Sequence, residues 1–435
     1  MNFRNSYQIE LLTIVYIFLL MGCQKKDTVR PQLTIYNPLG NSQYYAQQNN
    51  IYCSGKATDE TALDRVEIQL QTISGNPVLP KVIRFADANS FTYNIDYSLD
   101  NIHLESGNYM IKTTAYDKAG NSFSIYREVL IYGVPRVKQG VFYVAENGGS
   151  YTLGRIDSLD EDSTAIGVYP DYGGMAINNY DQQLFYMGYE SVDLLAFNSR
   201  NYSIEWILPN LANPPGTYYF HQLNFSEDYL TISLFDDQIL KRYKNGTGSG
   251  NILLNYIGGQ PETSLKKGNY LYVESKSLGT AIRKFQRYFF STGTLDEDFS
   301  IPFDFKKIFS KNDDELLIFG ESGGQAHVRV FFENGGNYFQ PINLFAGNFV
   351  DALQIDNNRY LIVQNGGVYA YTYSTNNLIQ EITESNILSA DYNSVNDQIY
   401  LGFANMIKVY SSSGALIRNI PVSGNVVNLK IHFNK

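Results

Sequence analysis

The triplet Phe142-Tyr143-Val144 is the first of seven short, β-rich segments that recur along the C-terminal part of the chain. The other six are Phe185-Tyr186-Met187, Leu230-Thr231-Ile232, Leu271-Tyr272-Val273, Leu316-Leu317-Ile318, Leu361-Ile362-Val363 and Ile399-Tyr400-Leu401. The steps between successive triplets are 43, 45, 41, 45, 45 and 38 residues. A repeat of this length, with several short strands in each unit, is typical of a β-propeller. Seven triplets predict seven blades over residues 136–435.

A second set of segments indicates which strand precedes each triplet. Short segments of strand-like composition lie at residues 175–177, 222–225, 352–355 and 390–392. We interpret them as the innermost strands of their blades and the triplets as the second strands. The first triplet has no such segment directly upstream, whereas residues 427–433 follow the seventh blade with no later strand to pair with. We therefore expect the C-terminal strand to close the ring as the inner strand of the first blade, which removes an exposed sheet edge.

The repeat resembles the broad seven-bladed superfold of WD40-like and YncE-like propellers, by its period rather than by a motif. No Trp-Asp dipeptide occurs, and the single tryptophan, Trp206, follows Glu205. The sialidase Asp-box is also absent. Because one fold can host many unrelated functions, this resemblance implies an architecture and leaves the activity open.

Residues 31–134 show a different pattern, in which apolar and polar side chains alternate along short strands separated by turns. Val66, Ile68 and Leu70, for example, share one face of a strand. This spacing predicts an antiparallel β-sandwich. The segments at 57–66 and 107–121 resemble the bacterial immunoglobulin-like domains that precede the functional module of many surface lipoproteins. The resemblance implies that the first domain is a spacer.

The N-terminus carries the pattern of an exported lipoprotein. Arg4 and the apolar run at 11–20 predict a signal peptide over residues 1–22. Leu20-Met21-Gly22-Cys23 resembles the lipobox of bacterial lipoproteins. That resemblance implies acyl chains, palmitate among them, on Cys23, which would hold the protein to a lipid bilayer through a tether at 23–30. An uncleaved spanning helix is the alternative, but it needs about 20 apolar residues, roughly twice this run. Gln24 favours the outer over the inner membrane of the cell envelope.

Composition excludes several kinds of partner. The net charge is −10 with no basic run, which argues against nucleic acid and against electrostatic binding to anionic lipid. Abundant Tyr and Phe favour strands. The only cysteines are Cys23 and Cys53. With Cys23 assigned to lipid, Cys53 is unpaired, and its place in the alternation makes it a small core residue.

No metal site and no cofactor are predicted. The four histidines (His103, His221, His327 and His432) lie far apart in sequence and show no HExxH-like spacing. The turn formed by Asp117, Gly120 and Asn121 fits either a calcium site or a tight strand connection. The connection is favoured because Gly and Asn readily supply left-handed backbone.

Candidate ligand-binding residues come from two sets of loops that emerge at the same end of a propeller. The loops after the second strands carry carboxylates in five successive blades: Glu146, Glu190, Asp236 and Asp237, Glu274, and Glu321. The loops that enter the inner strands carry aromatic rings, among them Tyr172, Tyr218, Tyr219, Phe299 and Phe349. We predict a site formed by these five rings with Glu146, Glu190, Asp237 and Glu321. The rings would stack on sugar or peptide, and the carboxylates would accept hydrogen bonds. Alternatively, the acids are solvated turn residues and the rings pack beneath the loops.

Three classes of function remain. Non-catalytic binding of an extracellular or periplasmic glycan or peptide fits the lipid anchor, the spacer and the aromatic propeller best. A scaffold subunit of an envelope complex is the first alternative, and a propeller glycan hydrolase or lyase is the second. A glycosidase needs two carboxylates at a defined separation, which any acidic loop set could offer. Catalysis is disfavoured because propeller lyases and quinoproteins generally use clusters of His, Arg or metal ligands, and the four histidines lie far apart in this sequence.

Overall fold

The computed structural model describes residues 27–161, 163–255, 259–280, 282–301, 303–333 and 338–435. They belong to two compact units, Met1–Pro135 and Arg136–Lys435. Throughout these ranges the chain forms strands and turns and no helix, which confirms the all-β prediction. It follows that no described helix is long and apolar enough to cross a membrane. The predicted signal peptide and Cys23 lie outside the described residues.

The first unit consists of two β-sheets around one core. Its strands are β1 (Gln32–Asn37), β2 (Ser42–Tyr45), β3 (Asn50–Thr58), β4 (Leu63–Thr72), β5 (Val82–Phe85), β6 (Ser90–Ser98), β7 (Gly107–Asp117) and β8 (Ser122–Tyr132). One sheet has the order β1-β3-β6 and the other β2-β8-β7-β4-β5. Ile51 and Cys53 of the first sheet pack with Ile68 and Ile111 of the second. The unit is therefore a β-sandwich, with Cys53 a buried free thiol, and its immunoglobulin-like character stays a prediction.

The second unit contains five four-stranded antiparallel sheets, which are blades 2 to 6. Blade 2 has β12 (Gly174–Asn178), β13 (Gln183–Met187), β14 (Leu194–Asn198) and β15 (Ile204–Leu208), and blade 3 has β16 (Phe220–Ser226), β17 (Tyr229–Leu234), β18 (Gln238–Tyr243) and β19 (Gly248–Leu253). Blade 4 has β20 (Gly259–Lys267), β21 (Tyr270–Ser277), β22 (Arg283–Phe289) and β23 (Leu295–Ile301), and blade 5 has β24 (Asp304–Ser310), β25 (Glu315–Ser322), β26 (Gln325–Phe332) and β27 (Tyr338–Ala346). Blade 6 has β28 (Phe349–Gln354), β29 (Arg359–Gln364), β30 (Gly367–Thr372) and β31 (Asn377–Thr383).

Blades 1 and 7 are joined through the last strand. Their strands are β9 (Lys138–Asn147), β10 (Ser150–Ile156), β11 (Ser163–Tyr169), β32 (Ser389–Asn393), β33 (Gln398–Ser411) and β34 (Leu416–Phe433), in a sheet of order β11-β10-β9-β34-β33-β32. The first half of β34 pairs with β33. The second half pairs with β9, where Leu429 lies opposite Tyr143 and Ile431 opposite Val141. The predicted seven-bladed propeller, closed by the C-terminal strand, is confirmed.

The recurring triplets lie in the second strand of each blade, where side chains on both faces are buried between neighbouring blades. Phe185, Tyr186 and Met187 of β13, for instance, are completely buried. Phe185 shares an apolar cluster with Leu230 and Ile232 of blade 3. A strand covered on both faces needs a continuous apolar run rather than an alternating one. This requirement, repeated once per blade, produces the period seen in the sequence.

Candidate ligand site at the mouth of the propeller

The two predicted sets of loops meet at one end of the ring, which we call the mouth. In blade 2, the backbone N–H of Gly173 donates to the carbonyl oxygen of Met187 at 2.6 Å, which joins the start of the inner strand to the end of the second. Between blades 2 and 3, the N–H of Tyr219 donates to the carbonyl oxygen of Tyr189 at 2.9 Å. The Asp171 carboxylate accepts N–H groups from the loop after β13, including that of Val192 at 3.1 Å. Loops distant in sequence therefore form one surface.

The inner strands of blades 1, 3, 4, 5 and 6 each contain a β-bulge near the mouth. The extra residues are Val427, His221, Glu262, Lys306 and Val350. A bulge redirects one side chain out of the regular alternation. In blades 3 and 4 the redirected side chains contact each other, with 3.1 Å between His221 Nε2 and Glu262 Oε2. Burial alone would raise the pKa of Glu262, but the hydrogen bond with His221 and nearby positive charges hold it below its ordinary value.

A central cavity of about 530 Å³ extends from the mouth between the inner strands. This volume is within the range of small-molecule sites. The lining comes from inner strands of six blades, including β12, β16, β24, β28, β32 and β34. Amide side chains of Gln222, Asn224 and Asn428 line it beside the rings of Tyr172 and Tyr189. The cavity thus offers both hydrogen-bonding and aromatic surface.

Charged side chains of both signs face one another across neighbouring blades along the cavity. Lys307 of blade 5 lies 3.2 Å (Nζ to Oδ1) from Asp351 of blade 6, and attraction to Asp351 raises the pKa of Lys307. Asp391 of blade 7 accepts the backbone N–H of Ile431 at 2.6 Å. Burial raises the pKa of Asp391, while the positive charge of Lys430 acts in the opposite direction. Lys307, Asp351 and Lys430 line the cavity directly.

Two of the five predicted rings have exposed or cavity-facing positions. Tyr172 lines the central cavity, and its hydroxyl accepts a 2.7 Å hydrogen bond from the Asn428 side chain. Tyr218 is 57% exposed at the mouth. It stacks on Phe235, with 4.7 Å between ring centroids and an interplanar angle of 23°. The ring of Tyr189 lies edge-on to Tyr218 at 6.1 Å. An aromatic cluster therefore extends from the exposed face of Tyr218 to the cavity wall at Tyr189.

The other three predicted rings pack against the cores between blades. Tyr219 packs on the cluster between blades 2 and 3, although its neighbour Tyr218 points outward. Phe299 lies in the outermost strand β23 and packs on the cluster between blades 4 and 5. Phe349 packs on the cluster between blades 5 and 6. The adjacent rings of Tyr218 and Tyr219 thus divide between the surface and the core.

The four predicted acids lie at the mouth, but none is among the residues described as lining the central cavity. Glu146 accepts a 2.9 Å hydrogen bond from the Asn425 side chain. Glu321 accepts the backbone N–H of Phe349 at 3.2 Å, so it holds the loop that enters blade 6. Glu190 and Asp237 are partly exposed in the loops after β13 and β17. The structure therefore brings the acids to the predicted end of the ring and uses two of them to brace loops.

Glu274, the acid that blade 4 contributes to the same loop set, is completely buried. Its Oε1 lies 2.6 Å from Arg283 Nη1, and the same nitrogen lies 2.8 Å from Asp304 Oδ1. Burial raises the pKa of Glu274 to about 8, with Arg283 opposing the shift. Glu274 thus belongs to the interior of blade 4 and not to the mouth surface.

The turn at Asp117 shows how acidic groups in the first unit are held. The Asp117 carboxylate accepts hydrogen bonds from the backbone and the side chain of Asn121, both at 2.7 Å. Carboxylate oxygens of Asp27, Asp59 and Asp117 lie within 4.8 Å of one another, a grouping that is chemically able to hold a cation. The hydrogen bonds of Asp117 are those of a strand connection, and we assign no metal to the group.

The charged residues of the central cavity were not among the predicted site residues. Each lies on a different blade, so no local motif joins Lys307, Asp351, Asp391 and Lys430. A weaker signal was present, because Asp391 falls inside the inner-strand segment 390–392 and Lys430 inside 427–433. Both segments are innermost strands, and Lys430 lines the central cavity.

Comparison with known proteins returns solved structures of low sequence identity. No protein-family model and no curated protein matches the chain. Among solved structures, BamB from Moraxella catarrhalis is 12% identical, with 68% of this chain and 94% of that chain covered and a TM-score of 0.43. A quinoprotein alcohol dehydrogenase-like protein from Bacteroides thetaiotaomicron is 12% identical, with 93% and 99% covered and a TM-score of 0.45. The WD40 β-propeller domain of Doa1 is 14% identical, with 64% and 92% covered and a TM-score of 0.49.

Proposed function

We propose that the propeller binds a peptide or glycan segment at the mouth, without catalysis, as part of a lipid-anchored envelope protein. The observation that carries this proposal is that the exposed ring of Tyr218 contacts Tyr189. Tyr189 in turn lines a cavity of about 530 Å³ whose other lining residues offer hydrogen bonds and both signs of charge. Tyr218 offers one free ring face, which suits a sugar ring or an apolar side chain.

A peptide is favoured over a glycan by the charges of the cavity. Lys307 and Lys430 lie on the same lining as Asp351. A neutral sugar makes no use of a lysine ammonium beyond a hydrogen bond, whereas a peptide presents backbone amides and side chains of both charges. Complementary charges fix the orientation of such a ligand more than they add to its affinity.

Binding is tested by applying the purified protein to peptide and glycan arrays and then measuring the dissociation constant of the strongest binder. Tyr218→Ala is expected to weaken that binding about 5- to 10-fold, the loss of roughly 1 kcal/mol of aromatic contact. Its melting temperature should stay near that of the wild type, because an exposed side chain contributes little to folding. Retention of full affinity by Tyr218→Ala would refute the mouth site, and so would arrays without any binder.

Tyr219→Ala provides the matched control. Tyr219 packs against the core between blades 2 and 3, so its truncation should lower the melting temperature and leave the affinity of the folded protein nearly unchanged. Cleavage of an arrayed glycan, detected as loss of the bound saccharide, would favour the hydrolase alternative instead.

The proposed lipid anchor depends on the thiol of Cys23. Cys23→Ser should abolish metabolic labelling with palmitate and leave the signal peptide uncut by the lipoprotein peptidase, because serine offers no sulfur for the diacylglyceryl group. Two or more acyl chains suffice for stable anchoring. Cys53→Ser, in the core of the first unit, is the control and should keep its label. Unchanged labelling of Cys23→Ser would disprove the anchor.

A scaffold function is the second candidate, and one feature of blade 2 favours it. Ile204 and Ile207 of its outermost strand β15 are each about half exposed, and Leu211 follows in the next loop with 66% of its surface exposed. An outermost strand with exposed apolar side chains suits contact with another protein. The scaffold function predicts that a membrane partner co-purifies with the wild type and with Tyr218→Ala but not with Ile207→Lys. That result would favour the scaffold function over ligand binding at the mouth.

A further inference from the structure

A second cavity lies at the end of blades 3 and 4 opposite the mouth, and we call it the distal cavity. It has a volume of about 540 Å³ and is bordered by the turns that join first to second and third to fourth strands in the two blades. Its lining includes Tyr229, Lys241, Ser249, Lys266, Phe290 and Ser291. The only carboxylate among the lining residues that the structure describes is that of Glu227.

Lys241 is a buried cation without a carboxylate partner. Lys241 is 3% exposed, and its Nζ donates to the carbonyl oxygens of Phe290 at 2.5 Å and Ser291 at 3.3 Å. Within the described residues it takes part in no ion pair, and an ammonium group has a third N–H to donate. Burial lowers the pKa of Lys241. A buried charge that only neutral groups solvate is destabilising, so an anion in the cavity would stabilise it.

Lys266 places a second ammonium group near the aromatic ring of Phe290, which Lys241 also approaches. Nζ of Lys241 and Nζ of Lys266 each lie 5.0 Å from the centroid of Phe290. Lys266 pairs with Glu227, whose side chain is mostly exposed. Two cations against one carboxylate leave the cavity with a net positive charge. The buried hydroxyl oxygen of Ser249 has no hydrogen-bond partner among the described residues, so it too is free to bind a ligand.

We propose that the distal cavity binds a small organic anion, a carboxylate or a phosphate ester with an aromatic or apolar body. The anionic group would meet the ammonium groups of Lys241 and Lys266, and the body would lie against Phe290 and Tyr229. Hydrogen bonds between two charged groups are about twice as strong as neutral ones. The volume suits a molecule of this size. This site is separate from the mouth and does not depend on the function proposed there.

The test is isothermal titration of the purified protein with benzoate, phenyl phosphate, inorganic phosphate and benzylamine. We expect benzoate or phenyl phosphate to bind with a dissociation constant below about 1 mM. Inorganic phosphate should bind at least about 10-fold more weakly because it lacks the aromatic body, and the cation benzylamine should not bind. Lys241→Met should weaken binding of the aromatic anion at least about 10-fold, since it keeps the length of the side chain and removes its charge.

Stability separates a ligand-binding lysine from a merely structural one. An apolar side chain in place of an unpaired buried charge is often neutral or stabilising, so Lys241→Met should melt no lower than the wild type. Lys266→Met is the second variant and should lose affinity as well, while Tyr218→Ala at the mouth should bind the anions normally. The proposal is overturned if neither aromatic anion binds, if inorganic phosphate binds as well as phenyl phosphate, or if both lysine variants keep wild-type affinity.

Discussion

Deletion of residues 427–435 is expected to destabilise the propeller so strongly that its cooperative unfolding transition is no longer seen at the wild-type melting temperature. Leu429, Ile431 and Phe433 of the deleted segment are buried in one apolar cluster of the closing sheet. Each such side chain contributes about 1.5–3 kcal/mol when buried, so the three together contribute about 5–9 kcal/mol. The whole stability of a domain is about 5–15 kcal/mol. Differential scanning calorimetry of the deletion and the full chain measures the loss.

Two further variants show whether the loss comes from the missing strand itself. Removal of Lys435 alone should leave the transition unchanged, because it follows the last paired residue, Phe433. Leu429→Ala, which keeps the strand and truncates one completely buried side chain, should cost about 2–5 kcal/mol. A synthetic peptide of residues 426–435 should partly restore the deletion variant, because it can pair with the exposed edge of β9. A deletion variant that melts at the parent temperature would show that blade 1 does not need this strand.

The closure of the ring could be predicted because both of its ends leave a signal in the sequence. Phe142-Tyr143-Val144 has the composition of a second strand without an inner strand before it, and residues 427–433 form a strand with no blade left to occupy. Burial on both faces makes every second strand continuously apolar, so the period survives even where loop lengths vary. The blades therefore followed from packing requirements that act within about 45 residues.

The site was only partly predictable because its residues come together through register and not through local pattern. The sequence does not show where a β-bulge inserts its extra residue, so nothing singled out His221 or Glu262 as neighbours. Tyr218 and Tyr219 are the same residue type at adjacent positions, yet Tyr218 is exposed and Tyr219 packs between blades. Positions of loops relative to strands were predictable, whereas the directions of their side chains were not.

The two ends of the propeller differ in whether their buried charged side chains have partners of opposite charge. At the mouth, Lys307 has the carboxylate of Asp351 as a partner, and His221 has that of Glu262. In the distal cavity, Lys241 has only carbonyl oxygens. Paired charges stay paired when a ligand binds and mainly orient it, whereas an unpaired buried charge attracts a ligand of opposite sign. This difference explains why we propose ligands of different chemistry for the two ends.

His432, in the closing strand β34, is expected to make the stability of the propeller sensitive to acid. It is 2% exposed, and its Nε2 lies 3.0 Å from Ser199 Oγ and 3.0 Å from Gln182 Oε1, both in blade 2. The amide nitrogen of Gln182 donates to the carbonyl oxygen of Phe433 at 2.9 Å, which fixes Oε1 as the atom facing His432. Because Oε1 can only accept, Nε2 carries the ring proton. Nδ1 is buried and has no hydrogen-bond partner among the described residues, so a proton added there would not be stabilised.

Burial, with the charges of Arg155 and Arg200, lowers the pKa of His432 from 6.5 to about 4. The unfolded chain therefore binds the proton more readily, and stability is lost as the pH falls from about 6.5 to about 4. A shift of this size corresponds to about 3 kcal/mol. His432→Gln should remove this part of the acid sensitivity, whereas Ser199→Ala should keep it, because it removes a partner of Nε2 and leaves Nδ1 unchanged. Urea unfolding at pH 7, 5.5 and 4 measures the difference, and equal losses in the wild type and His432→Gln would show that the acid sensitivity of the ring lies elsewhere.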